Sequence, residues 1–352
     1  MLAETNARSI LTHQNAWATT RHKRPARAGS DQTYPNFYRL VCLLAMQSLS
    51  EDEVRKRLEP LKVIAAIEAA FRDRYQSTIV PLRSKMELAS GVFLIMPCYD
   101  FAGQALGMKL ALVQNEPETA MDRVQATYML LDPKTARPTL VVPANYLTDL
   151  RTAATSAVAT KFLAKEDARV LGIVGTGRQA RAHIQVLPLV RRFEEVLVSG
   201  RNAVATHTFA EEMSMEIGLP VRAVDSRTCA ANSEVLCTCT TSPNPLFDGS
   251  LLRSGAHLNL VGAFRPHARE VDSASVQRSR VFVETYPAVF AEAGDLLIPI
   301  QEGVINREDV AGDLHHLVSG KIAGRTDQTG ITLFKSVGYA LEDLATAELL
   351  TD

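Results

Sequence analysis

The chain has 352 residues, 46% of them hydrophobic and 22% charged, with a formal net charge of -1. That length provides for about two domains, each with a core of its own, and the near-neutral balance gives no general attraction to nucleic acid or to an anionic membrane. The longest early apolar stretch, Leu40 to Met46, is far too short to span a bilayer and lies too late for a secretory signal, so the sequence reads as a soluble, cytoplasmic protein.

Residues 1 to about 45 carry Arg8, Arg21, Lys23, Arg24, Arg27 and Arg39 against only Glu4 and Asp31, with no apolar period. Too little apolar surface is present to offset ordering entropy, so an unfolded extension over residues 1–48 is expected. It is either a basic, acid-poor targeting peptide or an upstream extension with Met46 as the natural start. Ser50 followed by Glu53 is a capping-box signature, and Pro60 opens a second helix with Leu61, Ile64, Ile67, Ala70 and Phe71 on one face. Strand-like runs follow at Val80–Lys85, Gly91–Pro97, Gly107–Val113, Ala126–Leu131 and Thr139–Val142. Thr148 is the expected cap of a helix that Arg151 enters, which joins a guanidinium to free N–H groups at a positive helix end.

From Ala168 short apolar runs alternate with helical stretches: Arg169–Val174, Glu195–Ser199, Val221–Val224, Val235–Thr240, His257–Val261 and Arg280–Val283. Alternation of this kind predicts an α/β fold with a doubly wound parallel sheet. Asn202 caps a helix that Gly218 and Pro220 terminate, and a last helix is expected over about Lys335 to Leu349 with Val337, Leu341 and Leu344 on one face.

The strand Val170–Val174 runs into Gly175-Thr176-Gly177-Arg178-Gln179-Ala180, the G-x-G-x-x-A form of the dinucleotide fingerprint. Gly175 permits the tight turn, Gly177 lets the backbone approach a pyrophosphate, and Ala180 permits close helix–strand packing. A glycine motif alone is weak, but this one has the strand before it, the helix after it and a βαβ unit around it. The second strand ends Ser199-Gly200-Arg201-Asn202, with no Asp or Glu for the ribose hydroxyls. Arg201, helped by Ser199 or Asn202, suits a 2′-phosphate, so NADP(H) is expected ahead of NAD(H).

Arg83, Lys109 and Arg151 are three cations whose contexts suit a carboxylate or phosphate; periodicity alone does not bring them together. The five cysteines, Cys42, Cys98, Cys229, Cys237 and Cys239, form no CxxC pair and read as small buried side chains. His183 reads as a packed or capping group and His257 as a structural one. His315-His316 lacks the i, i+4 spacing of helical metal ligands, and no metal is expected. Glu292 and Asp295 either border the site or cap a helix.

In several blocks the sequence resembles the ornithine cyclodeaminase/mu-crystallin family: Met96-Pro97, Gly107-Met108-Lys109, Leu147-Thr148 with Arg151-Thr152-Ala153-Ala154, Gly175-Thr176-Gly177, Gly255–Asn259, Val261-Gly262-Ala263, Arg269–Asp272 and Phe334–Gly338. The likeness runs from about Leu49 to the C-terminus and keeps every block in order. It implies a Rossmann NAD(P)-binding domain over 151–324 and a discontinuous α+β substrate and dimerisation domain over 49–150 with 325–352, assembled as a homodimer. It also implies that Arg83, Lys109 and Arg151 surround the substrate carboxylate and the nicotinamide, with Arg83 and Lys109 at the chemistry. Arg151, Thr152, Thr240, Thr241 and Val261 would join the fingerprint loop around the cofactor. Where ornithine cyclodeaminases have an aspartate shortly after the Val-Gly pair, this sequence has Phe264, which cannot exchange a proton. The resemblance therefore points to an NAD(P)H-dependent reductase of cyclic imino acids such as Δ1-pyrroline-2-carboxylate and Δ1-piperideine-2-carboxylate. Two alternatives stay open: a cyclodeaminase or related amino-acid dehydrogenase, and an NADPH-retaining binding protein like mu-crystallin.

Overall fold

A computed structural model describes residues 46–115 and 123–351; the expectations for residues 1–45 lie outside them. The Ser50 capping box forms as predicted, with the Ser50 side chain accepting from the Glu53 N–H at the start of helix α1 (Glu51–Arg57). Pro60 occupies the first turn of α2 (Pro60–Ala69), where a missing N–H costs nothing. Its Val63, Ile64 and Ile67 are buried, and a π-helical turn at Ala70–Arg74 carries the apolar face on to Phe71.

Seven strands make the first sheet: β1 (Gln47–Ser48), β2 (Thr78–Ile79), β3 (Ser84–Leu88), β4 (Gly91–Asp100), β5 (Ala105–Gln114), β6 (Val124–Leu131) and β7 (Pro138–Pro143), in the order β1-β7-β6-β5-β4-β2 with β3 also on β4. The run expected at Val80–Lys85 is displaced to β3, because Pro81 has no N–H to give a ladder. Alternation on β5 puts Gly107, Lys109, Ala111 and Val113 on the buried face. Lys109 is thus a charge in an apolar row, opposite Met96 of β4 and Tyr128 of β6.

The second sheet has eight strands, all paired in parallel: β8 (Val170–Val174), β9 (Glu195–Ser199), β10 (Val221–Ala223), β11 (Val235–Thr238), β12 (His257–Leu260), β13 (Ser279–Val283), β14 (Val310–Asp313) and β15 (Ile331–Lys335). Their order, β10-β9-β8-β11-β12-β15-β13-β14, steps one way from β8 to β9 and the other way to β11. This is the expected doubly wound α/β sheet, and its switch point lies between the C-terminal ends of β8 and β11.

Two expectations need correction. Helix α3 runs Asn145–Leu163, so Thr148 lies inside it and Arg151 sits in its second turn rather than at its positive end. Ala144 gives no side-chain cap; instead Tyr146 N donates to Glu51 Oε1 at 2.7 Å, and Asn145 Oδ1 accepts from Ala126 N at 2.8 Å. The segment expected as one helix from Lys335 to Leu349 divides. Ile331–Lys335 is a buried strand of the parallel sheet, Gly338 turns with φ +89°, and the last helix spans Ala340–Glu348. The β-branched and aromatic run Ile331-Thr332-Leu333-Phe334 favours the strand. Residues 325–352, grouped by sequence with the first domain, therefore give β15 to the parallel sheet and the last helix to the first sheet.

Candidate active site

At the switch point Gly175 adopts φ +130°, a region that disfavours side chains, and its N–H donates to Ser199 O at 2.7 Å. A Cβ there would lie 2.5 Å from the carbonyl oxygen of Cys239, so glycine is what allows the ends of β8 and β11 to close on each other. Gly177 precedes the helix Arg178–Val186 without a side-chain cap, and nothing lies within 4 Å of where its Cβ would be. The first N–H groups of that helix thus face an open cradle at a positive helix end, which fits a pyrophosphate. Ala180 is fully buried, as close helix–strand packing requires.

Other fingerprint side chains are engaged elsewhere. Arg178 pairs with Asp149 at 2.7 Å and donates to Val124 O at 3.1 Å, while Gln179 Nε2 donates to the other oxygen of Asp149 at 3.1 Å. Both residues offer the cradle their backbone rather than their side chains. Burial pushes Asp149 up to about 6 against the pull of Arg178. Thr176 packs close to Gly200, where a Cβ would meet it at 2.9 Å. Ser199 is buried, and Asn202 Oδ1 caps the helix Ala203–Ile217 by accepting from Ala205 N at 3.0 Å. Arg201 is exposed at the end of β9 and makes no hydrogen bond or ion pair among the described residues.

A buried carboxylate fixes the loops on the far side of the crevice. Glu270 Oε1 accepts from the N–H and hydroxyl of Thr240, both at 2.7 Å; Oε2 accepts from Thr238 Oγ1 at 2.8 Å and Gly262 N at 2.7 Å. It ties the ends of β11 and β12 together. Burial pushes its carboxyl up, and neighbouring Asp295 adds to this. Asp295 in turn accepts from Glu270 N at 2.6 Å and pairs with buried Lys335 at 2.9 Å. Asp295 is a brace, then, and not a border of the site. Thr240 is held by Glu270, Thr241 is exposed, and Val261 donates its N–H to Thr238 O at 3.0 Å.

The three cations come together at the C-terminal ends of β12, β13 and β15. Arg83 donates through Nε to Glu292 Oε2 at 2.7 Å and through Nη2 to the same oxygen and to Val337 O, the latter at 2.7 Å. Its guanidinium lies 5.6 Å from the centre of the Phe264 ring, and Lys85 reaches Glu292 at 2.9 Å. Glu292 thus borders the group; burial opposes its charge, but Arg83 and Lys85 hold its carboxyl below the ordinary value. Next to Val337, Gly338 lies close against Arg151: a Cβ there would stand 3.0 Å from both terminal nitrogens, so the guanidinium would have to shift. Arg151 pairs with Glu342 and lies 3.0 Å from Asp343 Oδ1, which accepts from Lys109 Nζ at 2.8 Å. Lys109 is pushed down to about 8 by burial and then by Arg151. Burial pushes Arg151 down as well, but Asp343, Glu342 and Glu284 outweigh it, so it stays charged. Glu284 accepts from the N–H groups of Val337 at 3.3 Å and Gly338 at 3.1 Å; burial, and then Glu342, push its carboxyl well up. Thr152, expected near the cofactor, turns back to Thr148 O at 2.7 Å.

The profile of the ornithine cyclodeaminase/mu-crystallin family matches residues 45–352. The chain belongs to this family. It is 33% identical over 311 residues to a Δ1-pyrroline-2-carboxylate reductase of Bacillus cereus, covering 87% of this chain and 95% of that one. It is 32% identical over 313 residues to the ketimine reductase mu-crystallin of Rattus norvegicus, covering 86% and 96%. The solved Δ1-pyrroline-2-carboxylate reductase of Thermococcus litoralis, in complex with NADH and L-proline, superposes with a TM-score of 0.83 at 37% identity, covering 87% of this chain and 96% of that one.

In this member of the family a run of contacts links the dinucleotide loop to the cations. It runs from Gly175 against Cys239, through the Glu270 brace to Gly262 and Phe264, then across Arg83 to Val337, Gly338 and Arg151. Glu270, Glu284, Glu342 and Asp343 were missed as site residues by sequence reasoning. The signal available was a charged residue within an apolar run, as with Glu342 and Asp343 between Leu341 and Leu344. The histidines take structural roles: His183 bonds Gln179 O at 2.7 Å and Ser156 Oγ at 2.9 Å, and His257 bonds Thr332 Oγ1 at 3.0 Å. Burial pushes His183 down to about 4 and, with help from Arg325, His257 to about 3. Cys98, Cys229 and Cys237 are buried and pushed up to about 12 by desolvation, as unreactive thiols are; Cys42 lies outside the described residues.

Proposed function

We propose that the protein is an NAD(P)H-dependent reductase of cyclic imino acids, converting Δ1-pyrroline-2-carboxylate to L-proline and Δ1-piperideine-2-carboxylate to L-pipecolate. The observation that carries the reading is a cluster of cations, of which Lys109 and Arg151 are buried. Arg83, joined by the exposed Lys85, meets Glu292, while buried Lys109 and Arg151 meet Glu342 and Asp343. Such a concentration of cations suits a substrate carboxylate. Relatives named for ketimine and Δ1-pyrroline-2-carboxylate reduction support the same chemistry.

The geometry supports the following roles. The nicotinamide, when bound, supplies the hydride for the imine carbon. The substrate carboxylate pairs with Arg83 and Lys109, with Arg151 behind them, which fixes the ring so that its C=N carbon meets the donor in near-attack contact. The imine nitrogen carries a proton as the hydride arrives, so the C=N π pair becomes the amine lone pair with no further acid. Lys109, near 8, keeps its charge at neutral pH and stabilises the bound anion in a water-poor site. Phe264 covers Arg83 with an apolar ring, which supports plain reduction over the water and amine chemistry of a cyclodeaminase.

Arg201 is the basis for proposing NADP(H) ahead of NAD(H): an uncommitted guanidinium at the end of β9, with no carboxylate beside it, suits a 2′-phosphate. We further propose a homodimer built on the first sheet, where Ile79, Leu82, Met86, Leu88 and Phe101 leave large apolar side chains exposed. The test is coenzyme oxidation with both ketimines, using NADPH and NADH in parallel and L-ornithine with NAD as the counter-assay. Turnover of either ketimine is expected. Silence with both, together with proline from ornithine, would overturn the reading in favour of a cyclodeaminase.

A further inference from the structure

We propose that Asp343 is a positioning residue for this reaction: one carboxylate oxygen holds the Lys109 ammonium and the Arg151 guanidinium side by side, so that both face a single anionic substrate. The inference rests on the imino-acid reading only for the identity of the substrate.

Asp343 lies in the last helix, Ala340–Glu348, whose residues Ala340 to Ala347 are buried against the inner face of the first sheet. Lys109 comes from the middle of β5 and Arg151 from the second turn of α3, so neither element brings the two cations together on its own. Their meeting point is Asp343 Oδ1, 2.8 Å from Lys109 Nζ and 3.0 Å from Arg151 Nε. The first contact is a hydrogen bond, and the second is a charge contact without hydrogen-bond alignment. Asp343 is fully buried, and its Oδ2 has no hydrogen-bond partner among the described residues. A buried carboxylate with an oxygen left over is costly unless its charge is needed where it stands.

The surroundings say what that charge does. Lys109 is opposed on β4 by Met96, with Cys98 two residues on, and on β6 by Tyr128. Burial holds both the Cys98 thiol and the Tyr128 phenol neutral. The charged groups facing it are therefore Arg151 from α3 and Glu342 and Asp343 from the last helix, with Glu284 reached through Arg151. Glu342 pairs with the far end of Arg151, and burial pushes the Glu284 carboxyl well up. Among the described residues, only Asp343 pairs with Lys109. Remove its charge, and burial and the repulsion of Arg151 act on the ammonium without a contacting anion, so Lys109 sheds its proton at lower pH.

The experiment is a pH titration of the full-length protein labelled at lysine Cε, read by carbon NMR, with the Lys109 signal assigned by its loss in Lys109→Arg. The native signal is expected to titrate near about 8. In Asp343→Asn, which keeps the shape and one acceptor oxygen, it moves at least about one pH unit lower; Asp343→Glu restores it most of the way. If Asp343→Asn does not accumulate as folded protein, Asp343→Ser carries the same test. A Lys109 that titrates in either charge-free variant where it does in the native protein would overturn the proposal, since Asp343 would then not be what keeps the ammonium charged beside Arg151. This readout needs no turnover. Failure of the imino-acid reading would instead appear as native protein inactive on both ketimines while the Asp343 shift remains.

Discussion

Replacing Lys109 with Met tests the cationic site most sharply, because the two side chains have similar length and differ mainly in the charge. Lys109 is 2% exposed, and Asp343 is its contacting partner. Truncating one member of a buried, hydrogen-bonded charge pair costs about 2–5 kcal/mol in binding. If that contact is made to the substrate carboxylate in the transition state, kcat/KM falls roughly 30-fold to several thousand-fold. Folding suffers less than the about 3–5 kcal/mol expected of a stranded buried carboxylate, because Asp343 keeps Arg151 Nε 3.0 Å away. The assay is steady-state coenzyme oxidation with Δ1-pyrroline-2-carboxylate, alongside Tm and the Kd for NADPH measured by fluorescence. The predicted pattern is a large loss in kcat/KM with nucleotide affinity unchanged within about twofold. Unchanged turnover would remove Lys109 from the mechanism, and a parallel loss of NADPH binding would mean that it serves the cofactor instead.

The remaining predictions concern the cofactor cradle and the response to acid. Arg201→Ser should raise the KM for NADPH by roughly tenfold or more, as loss of a charge-assisted contact implies, and leave NADH nearly untouched; an equal effect on both would place the arginine away from the 2′-position. Gly177→Ala has free space and φ -92°, so it should keep its Tm while losing nucleotide affinity, whereas Gly175→Ala, at φ +130° and 2.5 Å from Cys239 O, should lose stability itself. Comparable Tm values for the two variants would contradict the cradle. Burial lowers His183 from 6.5 to about 4 in the folded state, so between those pH values the unfolded chain binds more protons. Its contribution is then fully present above about pH 6.5 and lost as pH falls towards 4. Urea midpoints of His183→Gln should fall less steeply over that window than those of the native protein, and equal slopes would mean that the ring is not buried neutral.

What was legible in the sequence was what neighbouring residues decide together. Gly175, Gly177 and Ala180 each answer to a constraint set within one βαβ unit, so strand, turn and helix appear in the structure where the motif puts them. The cap of α3 was not legible, because Glu51 supplies it from 95 residues away and Thr148 looks like a better cap than Ala144. Strands β14 and β15 were missed because short, mostly buried runs have no period to separate them from helix. The three cations could be named from their surroundings, but their convergence depends on carboxylates that read as ordinary polar positions. Glu342 and Asp343 are buried only because Lys109 and Arg151 arrive from other elements to neutralise them. Glu270 escaped notice for a similar reason: its partners Thr238, Thr240 and Gly262 sit on two other strand ends.

The central claim is that hydride passes from the nicotinamide to the imine carbon of a bound cyclic imino acid, and isotope transfer tests it most directly. Native protein is incubated with Δ1-pyrroline-2-carboxylate and NADPH deuterated on both C4 positions, and the product is examined by proton NMR and mass spectrometry. The account predicts L-proline carrying a single deuterium at its α-carbon. Proline without that deuterium, or no proline with NADPH still bound, would contradict it.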